Sequence, residues 1–151
     1  MGVIVASTEV KRPAAEAFAY VTDPAKMSEW QQGCVTGHLD GAPTRVGSKC
    51  ITVRRIGGRE REVVTEITEY DPPNRWADRG ISGPIRAKVA VTVEPLGDGS
   101  RSRVTIELDF TGHGIGRLLV PLVVRRQAAG EMPDNMKRLT QRLQDGRSRD
   151  V

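Results

Sequence analysis

Two stretches of the chain alternate between apolar and polar side chains, broken only by Ala90. Ile85, Ala87, Val89, Val91 and Val93 share one parity against Arg86, Lys88, Thr92 and Glu94, while Val104, Ile106, Leu108 and Phe110 oppose Arg103, Thr105, Glu107, Asp109 and Thr111. A period of two belongs to a strand with one face on a core and the other in water. Residues 3–10, rich in Val, Ile and Thr, predict a first strand that Lys11-Arg12-Pro13 stops. Pro13 suits the first turn of a helix, where its missing N–H costs nothing, and Phe18 and Val21 at i, i+3 supply the buried face. Thr22-Asp23-Pro24 ends that helix, and Asp23 is placed to cap a second short one through Met27 and Trp30.

From residue 31 to 112 the breaks fall at Asp40-Gly41-Ala42-Pro43, Gly57-Gly58, Asp71-Pro72-Pro73-Asn74, Ser82-Gly83-Pro84 and Gly97-Asp98-Gly99, which leaves room for six strands of a meander. After Gly112-His113-Gly114 a long stretch carries Ile115, Leu118, Leu119, Leu122, Ala129, Met132, Met136, Leu139 and Leu143 at 3 and 4 spacing, a helix long enough to cover the sheet. Gly130 and Pro133 lie inside that pattern and predict a kink or short break between Ala129 and Asp134. These elements describe an α+β chain: seven antiparallel strands, two short helices after the first, and a long C-terminal helix. They form a single domain over residues 1–146, followed by a frayed tail at 147–151.

Composition narrows the function classes. A chain of 151 residues with 38% hydrophobic and 28% charged residues can bury a core without disulfides or metal, and it contains no apolar run of bilayer-spanning length. The N-terminus has neither a basic n-region nor a long apolar h-region, and Ala6 stands where a myristoylation signal needs Ser or Thr, so a cytoplasmic location is expected. Cys34 and Cys50 are read as buried free thiols. The net charge of +4 and pI near 9.4 raise nucleic-acid binding, but the basic residues are dispersed. The densest group, Arg54, Arg55, Arg59 and Arg61, is diluted by Glu60 and Glu62, and six aromatic residues leave little to stack on bases, so no nucleic-acid partner is expected. His38 and His113 are far apart and no cluster has ligand spacing, so no metal is expected. No phosphate loop or nucleophile elbow occurs, so no cofactor is expected either.

The order strand, helix pair, six strands, long helix resembles the SRPBCC or START-like superfamily, which includes polyketide cyclase/dehydrase-like proteins and lipid carriers. The resemblance runs from about residue 3 to 145. It rests on Pro13-Ala14-Ala15-Glu16-Ala17-Phe18, Thr22-Asp23-Pro24 followed by Trp30, Val46-Gly47, Tyr70-Asp71-Pro72-Pro73-Asn74-Arg75-Trp76, and Gly114-Ile115-Gly116. It implies a helix-grip fold, with a curved sheet wrapped on the long helix and a cavity between them. Carried onto this chain, the lining would come from Trp30, Cys50, Thr52, Trp76, Val91, Leu108, Phe110, Leu119, Val123, Met132 and Met136. Any one of these could equally fill a dry core. As a set they favour a cavity, since so few large aromatic side chains are available to fill the space.

Three side chains are candidates for chemistry. His113 lies where the last strand passes into the long helix, where it is either a solvated loop residue or an acid/base near a cavity mouth. If Trp76 faces inward, the period of two puts Asp78 beside it, and Cys50, Thr52 and Arg54 share a face by the same rule. Register around the Pro72-Pro73 turn leaves a solvent-facing Asp78 as the other reading. An inward carboxylate must find a cation, Arg54 before Arg79, or have its pKa raised. Arg125-Arg126 is a solvated edge or a pair for an anionic ligand or membrane. The leading functional expectation is a carrier or sensor of a hydrophobic small molecule such as a lipid, isoprenoid or polyketide-like compound, a monomer or homodimer with at most transient membrane contact. A cyclase/dehydratase-like enzyme using Asp78, Arg54 or His113 is the alternative, and a toxin-like or stress-associated interaction protein a further one.

Overall fold

The structure is a computed structural model that describes residues 3–41 and 44–149, so Ala42 and Pro43 of the expected Asp40–Pro43 turn lie outside the described residues. Strand β1 (Ile4–Val10) leads to helix α1 (Ala14–Val21), with Pro13 at its N-cap. A single 3-10 turn (Pro24–Lys26) follows, capped by the Asp23 carboxylate, which accepts the Ala25 N–H. Helix α2 (Met27–Trp30) comes next. Six strands follow: β2 (Cys34–Asp40), β3 (Lys49–Ile56), β4 (Arg59–Asp71), β5 (Arg75–Gly80), β6 (Ile85–Leu96) and β7 (Arg101–Gly112). The chain then passes through α3 (Gly116–Leu119) and a π-helical turn (Val120–Val124) into α4 (Arg125–Arg149).

The seven strands form one antiparallel sheet in the order β1-β7-β6-β5-β4-β3-β2, so every neighbour except the β1–β7 pair is also a neighbour in sequence. Helices α1 and α2 carry the chain from one edge of the sheet to the other. Gly37 in β2 makes their seat possible: a Cβ there would collide with the Pro24 carbonyl, so only glycine lets the 3-10 turn rest on the sheet. Helix α4 spans the same face. Thr140 meets Thr8 of β1 through their hydroxyls at 2.8 Å, and the Arg12 Nε donates to the Leu143 carbonyl at 2.7 Å. Between these layers lies a core of Phe18, Val21, Trp30, Ile67, Trp76, Val104 and Leu139. This is the helix-grip arrangement expected from the sequence.

The long helix departs from expectation in two ways. No break occurs between Ala129 and Asp134, where α4 continues through Pro133. Pro133 and Ala129, whose carbonyl loses its intrahelical donor to the proline, are both exposed, so water takes the place of the missing bond. The irregular turn falls earlier, at Pro121, where the Arg125 N–H reaches five residues back to the Val120 carbonyl. The extra residue advances the side-chain phase by about 100°. Val120 and Val124 consequently pack inward against Ile85, whereas Ile115, Leu118 and Leu122, which the 3 and 4 spacing assigns to the buried face, are 66%, 64% and 64% exposed. Residues 147–149 continue the helix, and the last two residues of the expected frayed tail lie outside the described ones.

Candidate functional site

Between the sheet and α4 lies a cavity of about 160 Å³. Its apolar walls come from inward positions of β5, β6 and β7 (Trp76, Val89, Val91, Ile106, Leu108 and Phe110), with Trp30 of α2 and Val124 and Met132 from the helical side. Of the residues expected on the wall, Trp30, Cys50, Thr52, Trp76, Val91, Leu108, Phe110 and Met132 line this cavity. Leu119, Val123 and Met136 do not. Leu119 packs on the small cluster around Val120 and Val124, Val123 lies beside Gly57 at the β3–β4 hairpin tip, and Met136 is spent on the main core. Leu119 and Val123 each precede an inward residue, Val120 and Val124, which face the core at the π-helical turn in their place.

Asp78 is on the wall. The Trp76 indole is 1% exposed and pairs across the sheet with Tyr70 and Val91, which settles the register that the Pro72-Pro73 turn leaves open in the sequence. Burying a tryptophan removes about 150–250 Å² from water, roughly 4–6 kcal/mol. That outweighs the cost of bringing along the carboxylate two positions later, whose pKa rises from 3.8 to about 6, a penalty of about 3 kcal/mol at neutral pH. Burial is the main cause of the rise; a hydrogen bond from the Thr65 hydroxyl and the charge of Arg54 work against it. Asp78 is 6% exposed, and its Oδ1 has no hydrogen-bond partner among the described residues. The indole N–H groups of Trp30 and Trp76, on the same cavity, are also buried without acceptors. A buried polar atom without a hydrogen bond costs about 1–3 kcal/mol, so these three atoms are the cavity wall's open hydrogen-bonding positions among the described residues.

Cys50, Thr52 and Arg54 share the inward face of β3, with Cys50 opposite Thr65 of β4. Burial and the neighbouring Asp78 push the Cys50 thiol up to about 11, so it stays protonated and is a wall rather than a nucleophile at neutral pH. The expected Asp78–Arg54 ion pair is not formed. The Arg54 guanidinium instead donates to Gln31 Oε1 at 2.6 Å and to Thr52 Oγ1 at 3.3 Å, leaving its charge on the cavity as a second polar point. Arg79 lies on the opposite face and pairs with Glu66 at 3.6 Å.

Beside Arg54 and its partner Gln31 the cavity lining includes a polar rim from α4, Gln127, Glu131 and Asn135, that sequence reasoning missed. Gln127 of α4 accepts the Gly57 N–H at 2.9 Å and donates to the Arg55 carbonyl at 2.8 Å, tying the hairpin tip to the helix. Asn135 accepts the Gln32 N–H at 2.9 Å. These polar positions fall between the apolar ones that draw attention on an amphipathic helix. Thr65 was the legible omission, since it shares the parity of the buried Ile67. His113 is exposed in the β7–α3 turn, where its backbone N–H donates to the Pro84 carbonyl, and it does not touch the cavity. Among the described residues no group of three His, Cys, Asp or Glu side chains is placed to hold a metal ion, and no helix is long and apolar enough to cross a membrane.

Comparison with solved structures places this architecture among known proteins. A START superfamily protein from Mycobacterium smegmatis superimposes with a TM-score of 0.75 at 15% identity, over 95% of this chain and 97% of that one. A protein from Thermus thermophilus gives 0.76 at 17% identity, over 96% and 99%. The Zhui aromatase/cyclase from Streptomyces sp. R1128 gives 0.70 at 12% identity, over 93% and 94%. At such identities these likenesses establish the fold alone. No curated protein matches the sequence. The profile of the polyketide cyclase/dehydrase and lipid-transport family matches residues 1–144, nearly the whole chain. With its helix-grip architecture and the cavity under α4, the chain therefore belongs to that family, within the SRPBCC or START-like group, and is a ligand-binding protein of that type.

Proposed function

We propose that this protein carries or senses a small, mostly apolar molecule that bears a hydroxyl or amine, held in the cavity with that donor on Asp78. The unpartnered Oδ1 of Asp78, buried in a largely apolar cavity, carries the reading: it is an acceptor with nothing to accept from. A ligand donor there recovers the cost of the bare acceptor, and ligand carbonyl or ether oxygens could take the two indole N–H groups. Arg54 at the rim would favour an acceptor or anionic group at the outer end of the ligand. A cavity of about 160 Å³ suits a single ring or a short branched chain, so a longer ligand would extend past Gln127 and Asn135.

Native mass spectrometry of gently purified protein tests carriage directly: a co-purified apolar mass is the expected result. Titration with a phenol-bearing solvatochromic dye tests the anchor. Asp78→Asn, which keeps the shape but exchanges a carboxylate for an amide, should weaken the dye about tenfold, as expected for a lost charge-assisted hydrogen bond. Equal affinity in a folded Asp78→Asn variant would reduce Asp78 to a structural residue.

A second reading is a cyclase/dehydratase-like enzyme. It is favoured by the pKa of Asp78 near 6, which would let it exchange a proton with a substrate held over it while Arg54 polarises a carbonyl at the rim. Turnover of a poly-β-carbonyl substrate that vanishes in Asp78→Asn would select this reading, and binding without turnover would select carriage.

A further inference from the structure

We infer that the face formed by α3 and the π-helical turn is a docking surface for an anionic lipid bilayer. Ile115, Leu118 and Leu122 stand 66%, 64% and 64% exposed on one side of the helical segment, with Leu119, Pro121 and Val123 half-buried between and beside them. Scattered single apolar residues on a surface need no explanation, but a contiguous stripe of six does. The stripe results from the phase shift at the π-helical turn, which spends Val120 and Val124 on the core and turns the remaining large side chains to solvent.

Charge selects the occupant. From Phe110 to Gly130 the sequence holds Arg117, Arg125, Arg126 and His113 but no Asp or Glu. Arg125 is engaged with Asp109 at 2.6 Å, whereas Arg117 and Arg126 are exposed and form no ion pair among the described residues. Arg126 lies four residues after Leu122, continuing the apolar stripe with a cation. The β3–β4 hairpin tip adjoins, since a Cβ on Gly57 would touch Val123, and it adds an exposed Arg59 without an ion pair among the described residues. Within residues 110–130 the stripe is edged by cations without an acid, and at the adjoining hairpin tip exposed Glu60 is paired with Arg55 at 3.4 Å while Glu62 is exposed beyond it. Such a stripe is complementary to lipid headgroups of negative charge with acyl chains beneath them. The inner side of the same segment, Leu119, Val120 and Val124, packs on the cavity-lining Ile56, Ile85 and Phe110, so docking would bring that part of the cavity wall toward the membrane surface.

Co-sedimentation of the full chain with phosphatidylcholine vesicles, with and without one third phosphatidylglycerol, tests the inference. Binding is expected only to the anionic vesicles, weakening as salt rises. Leu118→Asp with Leu122→Asp should lower it at least tenfold, and each of Arg117→Glu and Arg126→Glu by roughly fivefold or more. Val5→Asp, at an exposed apolar site on β1, should leave binding unchanged. A Leu118→Trp variant gives an independent readout: its indole emission should shift blue and be quenched by brominated acyl chains in anionic vesicles. No binding to anionic vesicles, binding indifferent to the leucine pair, or an unshifted indole would overturn the inference. A dimer in analytical ultracentrifugation that the leucine pair disrupts, without vesicle binding, would assign the face to a second copy instead. None of these outcomes bears on Asp78, so this surface and the cavity stand or fall separately.

Discussion

Asp78 shows how one residue's position is set by another's. The two-residue period ties it to Trp76, and Trp76 has the larger stake in being buried, so the carboxylate is carried inward without a cation in contact. A pH dependence follows. With a folded pKa of about 6 against 3.8 in the unfolded chain, the native state binds more protons between these values. Stability therefore falls as pH rises from 4 to 6 and levels off above that, by about 3 kcal/mol in all from this group. Asp78→Asn removes the titration. Thermal unfolding should find the variant close to the parent near pH 3, below the unfolded pKa, and more stable by up to about 3 kcal/mol at pH 8. An identical pH profile in the two proteins would show that Asp78 does not titrate in this range.

At the scale of elements, α4 tolerates a proline in its interior because the affected turn faces water. Tolerance is not neutrality, since proline in a helix interior costs up to about 3 kcal/mol relative to alanine. Pro133→Ala restores a backbone donor opposite the Ala129 carbonyl and should raise stability by about 1–3 kcal/mol in urea denaturation at unchanged m value. A loss of stability would mean that the proline ring makes packing contacts worth more than the helical bond. The same element shows where periodicity misleads. A 3 and 4 pattern is blind to one inserted residue, so the apolar positions before Pro121 are out of phase with those of α4.

At the scale of the molecule, the cavity exists because β3, β5, β6 and β7 turn their inward faces toward a helix that touches the sheet mainly at β1. Filling that space should compete with a ligand. Ala87→Phe, at a half-buried lining position on β6, should weaken dye binding at least tenfold, while Leu119→Trp, outside the cavity, should leave it unchanged. The reverse result would place the ligand against α3 instead. Strand number, the parity that buries Val91 and Ile106, the Asp23 cap and the candidacy of Asp78 were all legible in the sequence. Each is a local property of side-chain period or turn chemistry, carried by residues close together in the chain. The inward register of Trp76, the engagement of Arg54 with Gln31 rather than Asp78, the exposure of Leu118 and Leu122, and the polar rim at Gln127 were decided only by the tertiary structure. They depend on which partner lies opposite across the sheet or beneath the helix, and on the helical phase reset by a single added residue, neither of which the local pattern contains.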